Sequence, residues 1–222
     1  KSDMRAKSDS IYFNETNGRI RLYKKPLTNR EKRVFTEKDL TGRNPVMWFG
    51  NSQMSGDEIE LLSNLQTKKL DSLKIRGNVF VIEKDSLSDD GFNQIKGGLL
   101  NGSFEEGGLE NIYVEKNTQV IYYLYSDEDN ELIGINKTLC SALEMQMGDD
   151  GIENITFLVS PGGDVFPEFK IDPNERIFKG FLWRDEERPR RKIDLFSQED
   201  LELILPKIKG ISLPEEFNAP QE

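Results

Sequence analysis

Met54-Ser55-Gly56-Asp57-Glu58-Ile59-Glu60-Leu61, a polar turn, and then Leu73-Lys74-Ile75-Arg76-Gly77-Asn78-Val79-Phe80-Val81-Ile82 set the pattern for most of this chain. A strand-like segment runs out, turns, and returns as a second, more apolar strand. The same phrase recurs from Ile95 to Tyr123, with Ile95-Lys96-Gly97-Gly98-Leu99-Leu100 going out and Ile112-Tyr113-Val114 returning. It recurs again from Ile135 to Pro167, with Ile135-Asn136-Lys137-Thr138-Leu139 and Ile155-Thr156-Phe157-Leu158-Val159. The three units start at residues 54, 95 and 135, a spacing of about forty. Self-similarity at that period marks stacked supersecondary units, here antiparallel hairpins. Such a hairpin cannot bury its own apolar face, so neighbours must share one.

Alternation within the strands supports this. Ile133, Ile135, Leu139, Leu143, Met145 and Met147 fall on one parity, with Lys137 and Ser141 as polar exceptions, while Gly134, Asn136, Thr138, Glu144 and Gln146 fall on the other. One face of that strand is expected to be apolar and the other wet. Ile112, Val114, Val120, Tyr122 and Leu124 alternate similarly. Turns are marked by Glu106-Gly107-Gly108, Asp127-Glu128-Asp129-Asn130, Gly148-Asp149-Asp150-Gly151 and Ser160-Pro161-Gly162-Gly163. Proline is absent between Gly50 and Ser160, as paired strands require. Upstream, residues 9–23 read as a hairpin. In it Ile11 and Phe13 alternate with polar neighbours, Ile20 with Leu22 carries the return strand, and the turn is Glu15-Thr16-Asn17-Gly18, where Asn-Gly favours the positive backbone angles of a type I′ turn. Residues 24–44 read as a loop with a helical turn near Arg30–Phe35, followed by a short strand Val46–Phe49.

After Pro167 the character changes to aromatics among dense opposite charges, as in Phe178-Lys179-Gly180-Phe181-Leu182-Trp183-Arg184. Arg184, Arg188, Arg190 and Arg191 read as a salt-bridged surface cluster. Ser197 would cap a short helix over 197–205. The expected organisation is therefore an all-β body over 1–167 and a charged C-terminal extension over 168–222.

Composition narrows the function. The 222 residues carry 30 Lys and Arg against 40 Asp and Glu, a formal charge of −10, which opposes nucleic-acid and anionic-bilayer binding. With no histidine, the Ser-His-Asp and Cys-His arrangements and His-based metal sites are excluded. The single cysteine, Cys140, excludes an internal disulfide. No apolar run approaches the roughly 20 residues of a membrane helix. The acidic clusters at 127–129 and 149–150 lack calcium-loop spacing, and the paired glycines match no phosphate loop. No catalytic residue, metal or cofactor is expected. The apolar stripes are then either an ordinary sandwich core or the wall of a trough that accepts acyl chains or another strand.

The pairing of Gly56-Asp57-Glu58-Ile59 with Gly77-Asn78-Val79 resembles the repeats of the OstA-like (organic solvent tolerance) family, the LptA-like group of lipopolysaccharide-transport proteins. Phe92–Gly97, Leu132–Asn136 and Phe181–Pro189 also resemble segments of a larger OstA-like subgroup. The resemblance covers about Met4 to Pro189, and the Gly-Asp and Gly-Asn-Val signals are lost in the later repeats. It implies an elongated, twisted, partly open β-jelly roll of stacked hairpins. It implies a periplasmic protein, free or associated with the outer membrane, that shields lipid A acyl chains of lipopolysaccharide without catalysis. Partners implied are other lipopolysaccharide-transport components, or further copies of the chain through end-to-end strand pairing. The acyl-facing residues it implies are Ile59, Leu61, Ile75, Val79, Val81, Ile112, Val114, Val120, Ile135, Leu139, Leu143, Met145, Ile155 and Phe157. The 24–44 loop and the charged tail have no place in a minimal bridge of this kind. A scaffold that pairs through exposed strand edges, and an enzyme or sugar-binding β-solenoid, are the competing readings.

Overall fold

The computed structural model describes residues 4–29, 34–148 and 151–195. Twelve strands form one antiparallel sheet that does not close on itself. In chain order these are β1 (Arg5–Lys7), β2 (Ser10–Asn14), β3 (Arg19–Tyr23), β4 (Val46–Phe49), β5 (Ser52–Ser55) and β6 (Glu58–Ser63). They are followed by β7 (Leu70–Lys84), β8 (Phe92–Glu105), β9 (Gly108–Tyr125), β10 (Leu132–Met147), β11 (Ile152–Leu158) and β12 (Gly162–Phe166). The long strands β7, β8, β9 and β10 lie side by side in sequence order, as successive hairpins must. At one end β7 splits its pairing between β5 and β6, and at the other β10 splits its pairing between β11 and β12. The three repeat units thus correspond to β5/β6–β7, β8–β9 and β10–β11/β12.

A single line of interruptions crosses the sheet at mid-strand. Register shifts occur between Arg76 and Val79, between Lys96 and Leu99, and between Cys140 and Ala142. Gly77 and Asn78 have φ of 68° and 47°, and Lys116 and Asn117 have 72° and 57°. The break between β5 and β6 at Gly56-Asp57 lies on the same line, where the Asp57 N–H donates to both Arg76 O and Gly77 O. So does the break between β11 and β12, where the Ser141 N–H donates to Val159 O at 3.1 Å. Bulges bend and twist a strand, and bulges aligned across neighbours bend the whole sheet. The Gly-Asp and Gly-Asn-Val motifs therefore mark the bend. Only glycine suits position 77: φ is positive and an added Cβ would lie 2.3 Å from the Asp57 carboxylate. That carboxylate is fixed in turn by Asn78 Nδ2 at 2.8 Å and Lys24 Nζ at 2.9 Å.

The bent sheet buries one continuous apolar face made by Leu22, Met47, Phe49, Met54, Ile59, Leu73, Ile75, Val79, Val81, Ile95, Leu100, Ile112, Val114, Val120, Leu143, Met145 and their neighbours. The opposite face is crossed by a strap, Pro167–Arg188, which belongs to the same compact unit as the sheet, Lys1–Arg188. Ile171 packs on Ile121, Tyr123 and Ile135. Phe181 meets Phe80 and Phe92 edge-on at 6.3 and 5.1 Å, and Trp183 tilts against Phe92 at 5.4 Å. Two buried glutamines hold the strap's backbone as a neighbouring strand would. Gln94 donates through Nε2 to Arg176 O and accepts from the Phe178 N–H, at 2.8 and 2.9 Å. Gln53 donates to Leu182 O and accepts from the Arg184 N–H, at 2.8 and 2.7 Å.

Several expectations are corrected here. Arg184 is buried, not part of an exposed cluster, and donates to Asn44 O and to both oxygens of Glu187. A short helix, α1 (Glu37–Gly42), begins at a capping box formed by Thr36 and Asp39, while the helical turn expected near Arg30–Phe35 falls mostly outside the described residues. The β2–β3 turn has four residues with only Gly18 at positive φ, so it is not type I′. Residues Pro189–Glu222 form a second unit, in which Asp194 accepts from the Arg190 and Arg191 N–H groups. The helix expected over 197–205 lies outside the described residues.

Candidate apolar groove

The inner wall is built from alternate residues of β3 to β10, and the described members of its core carry no ionisable group other than the Cys140 thiol, which burial pushes up. All five methionines of the chain contribute: Met47, Met54, Met145 and Met147 belong to the cluster and Met4 packs against it. Met47 is directly opposite Met54 on adjacent strands, and Met145 is flanked by Ile112 and Ile155. Methionine's flexible, polarisable chain lets such a wall conform to irregular apolar partners.

Of the fourteen expected groove residues, Ile59, Leu61, Ile75, Val79, Val81, Ile112, Val114, Val120, Leu143 and Met145 all meet in this cluster. Ile155 and Phe157 of β11 are half-buried and pack against it from the sheet's edge. Ile135 and Leu139 do not belong. Ile135 lies on the other face beneath the strap with Ile171, and Leu139 is 62% exposed. The bulge between Cys140 and Ala142 adds one residue and flips the alternation, so Cys140 points inward where Leu139 was expected. The expected set also omitted Met47, Phe49, Met54, Leu73, Ile95 and Leu100. Leu73 continues the alternation that places Ile75 on β7, but β4 is apolar throughout and β5 has a single apolar residue, so their sequences do not mark which side chains face inward.

The walls close on their own side chains along most of their length, and the seam between the ends of the sheet is pinned at Glu83. This carboxylate accepts from the Ile152 N–H at 2.8 Å, Ser52 Oγ at 3.1 Å and Asn93 Nδ2 at 3.4 Å, joining β7, β5 and β8 to the start of β11. Burial raises its pKa, and the three hydrogen bonds only partly oppose that. Beside the seam, a recess of about 320 Å³ reaches Phe49, Leu109 and Met147, with Glu105, Glu110 and Glu153 at its rim. The facing Glu105 raises the pKa of Glu110. Among the described residues no group of three or more acidic or thiol side chains is placed to hold a metal.

No family model matches the chain, and no curated protein matches it. Among solved structures, the crystal structure of LptH, the LptA homologous periplasmic component of the lipopolysaccharide transport device from Pseudomonas aeruginosa, is similar over 74% of this chain and 96% of its own, with 10% identity and a TM-score of 0.49. A likeness of that degree carries nothing about what this chain binds.

Proposed function

We propose that this chain is a non-catalytic acyl-chain carrier of the Gram-negative periplasm, shielding the acyl chains of lipopolysaccharide between the two walls of its bent sheet on the way to the outer membrane. The observation that carries the reading is the continuous apolar inner face, bounded at the seam by Glu83, with all five methionines on or against it. An acyl chain between these walls stays out of water, a gain of about 0.8 kcal/mol per buried methylene. Residues 1–167 would form the carrier and 168–222 its extension. The contact residues would be the ten inward side chains named above with Ile155 and Phe157 at the open margin.

Photo-crosslinking tests this without disturbing the core. With benzophenone side chains at Phe157 and Thr156 in turn, delipidated protein should label lipopolysaccharide saturably from 157 and not from 156, its outward neighbour. Equal labelling from both positions, or labelling that never saturates, would refute the carrier.

A second reading rests on a separate observation. Among the described residues, β2 pairs only with β3, and β11 and β12 pair only with β10, so the sheet ends in open edges. On β2, Ile11, Tyr12 and Phe13 are 64%, 49% and 53% exposed. Such edges accept another strand, which would make the chain an envelope scaffold. Concentration-dependent self-association in sedimentation, abolished by Tyr12→Pro, would favour it.

A further inference from the structure

Between α1, the strap and the outer face of β5, β7 and β8 lies a cavity of about 370 Å³. Four cations line it, Lys24, Lys96, Lys179 and Arg184, against two acids, Glu37 and Asp57, in a chain whose net charge is −10. Three of the cations are accounted for. Lys24 Nζ bonds Asp57 Oδ1 and Asn44 Oδ1 at 2.9 and 2.8 Å, and Arg184 is held by Glu187. Lys179 meets Glu37 at 3.2 Å, but both side chains are more than two-thirds exposed, and such pairs hold weakly.

Lys96 is different. It is half-buried, its ammonium donates to Lys179 O at 2.8 Å and stands 5.3 Å over the Phe80 ring, and among the described residues no carboxylate pairs with it. Burial and the neighbouring Lys179 both lower its pKa, as expected of a charge without its counter-ion. The remaining lining divides in two. The Ser55 and Thr41 hydroxyls donate to Phe80 O and Glu37 O, so the lysines are left to meet an anion, while Leu40, Phe80, Ile82 and Leu182 form an apolar wall. The volume is at the small end of ligand sites, which run from about 300 Å³ upward.

We propose that this cavity is a phosphate-binding site, in which Lys96 and Lys179 take the phosphate group and the Leu40–Leu182 wall takes a short apolar stem attached to it. A phosphate brings close to two negative charges, matching the unpaired Lys96 and the loosely held Lys179. The site is on the opposite face of the sheet from the groove and does not depend on the carrier reading, so acyl crosslinking at Phe157 and phosphate binding here can fail separately.

The test is an amide NMR titration of the whole chain with inorganic phosphate and with hexyl phosphate at constant ionic strength. Saturable shifts are expected at Ser55, Gly180 and Leu182. Lys179→Gln, an exposed position that folding tolerates, should weaken binding about fivefold and Lys96→Gln about tenfold, while Lys69→Gln on the distant β6–β7 turn should leave it unchanged. Hexyl phosphate binding several-fold tighter than phosphate would identify an amphiphile as the occupant; equal affinity would identify free phosphate. Shifts that do not saturate by 20 mM, or that survive unchanged in Lys179→Gln and Lys96→Gln, overturn the site.

Discussion

Replacing Gln94 with leucine should loosen the strap from the sheet. Gln94 is fully buried, and its amide satisfies the Phe178 N–H and the Arg176 carbonyl at 2.9 and 2.8 Å. Leucine fills similar volume but meets neither group. Each buried polar group left without a partner costs about 1–3 kcal/mol, so a strap that stayed docked would lose roughly 2–6 kcal/mol. The strap can escape that cost by lifting off, at the expense of what else holds it there. The three aromatic contacts of Phe181 and Trp183 contribute about 0.5–1.5 kcal/mol each beyond their buried area. The smaller of the two losses is the one realised, which places the net destabilisation near 3 kcal/mol. For a unit of this size, that corresponds to a fall in Tm of roughly 9 °C. Hydrogen exchange read by mass spectrometry would locate the effect: amides from 176 to 184 should lose protection while β8 and β9 keep theirs. Gln53→Leu should reproduce it at Leu182 and Arg184, two strands away across Ile82. A Gln94→Leu protein within about 0.5 kcal/mol of the parent, with Phe178 still slow to exchange, would show that the strap is held by its apolar contacts alone.

Glu187 is held at about 2 by its hydrogen bonds from Arg184, with Lys7 adding to the effect, against an ordinary value of 4.5. Its contribution is therefore complete above pH 4.5 and lost as pH falls towards 2, so acid titration should release the end of the strap, seen as a change in Trp183 emission that Glu187→Gln shifts to neutral pH. Glu83 has the opposite sign: its raised pKa means that its protonated form is favoured by folding, and stability falls as pH rises through that pKa. Glu83→Gln should flatten this dependence at little cost, whereas Glu83→Leu should cost about 2–4 kcal/mol in urea denaturation, because it strands the Ile152 N–H, Ser52 and Asn93. Tyr125→Phe removes a 2.7 Å bond to Asp85 Oδ2 and should cost about 1.5 kcal/mol in the same assay, since the acceptor is charged.

What could be read from the residues, and what could not, divides at the bulges. The interruptions at Gly77-Asn78 and Gly97-Gly98 are marked by glycines that break alternation, whereas Met54–Leu61 reads as one strand-like segment and the structure divides it at Gly56-Asp57 into β5 and β6. The bulge at Cys140–Ala142 has no such marker. Thr138-Leu139-Cys140-Ser141-Ala142 reads as plain strand, and its extra residue is set by the Ser141 bond to Val159 and by the fold line arriving from β9. Unbroken alternation therefore groups Ile135 and Leu139 with Leu143 and Met145, and the bulge separates them onto opposite faces. The strap was hidden for another reason. Its charges suggest solvent, while its anchors are backbone groups that bond Gln53 and Gln94, and neither glutamine interrupts the strand patterns enough to stand out. The aromatics Phe178, Phe181 and Trp183 were the available signal.

A closed interior fits a carrier because the energetic cost of opening it lies in the seam, not the walls. When an acyl chain slides over Val114 and Leu143, cross-strand neighbours on one wall, each side chain exchanges one apolar neighbour for another and no area returns to water, so the hydrophobic term changes little. Lost packing is the remaining cost inside, and methionines at 47, 54, 145 and 147 reduce it by changing rotamer more readily than branched side chains would. The polar ties across the gap are of another kind. Of the three hydrogen bonds at Glu83, those from Ser52 and Asn93 come from the adjoining strands and only the Ile152 N–H reaches across, to a carboxylate that burial already disfavours, so the pin is a single bond. The outer face, by contrast, is fixed by the strap's paired glutamines and ring contacts. One face held firm and one seam held lightly would let the sheet part along its length while keeping its bend, as a conduit for long chains requires.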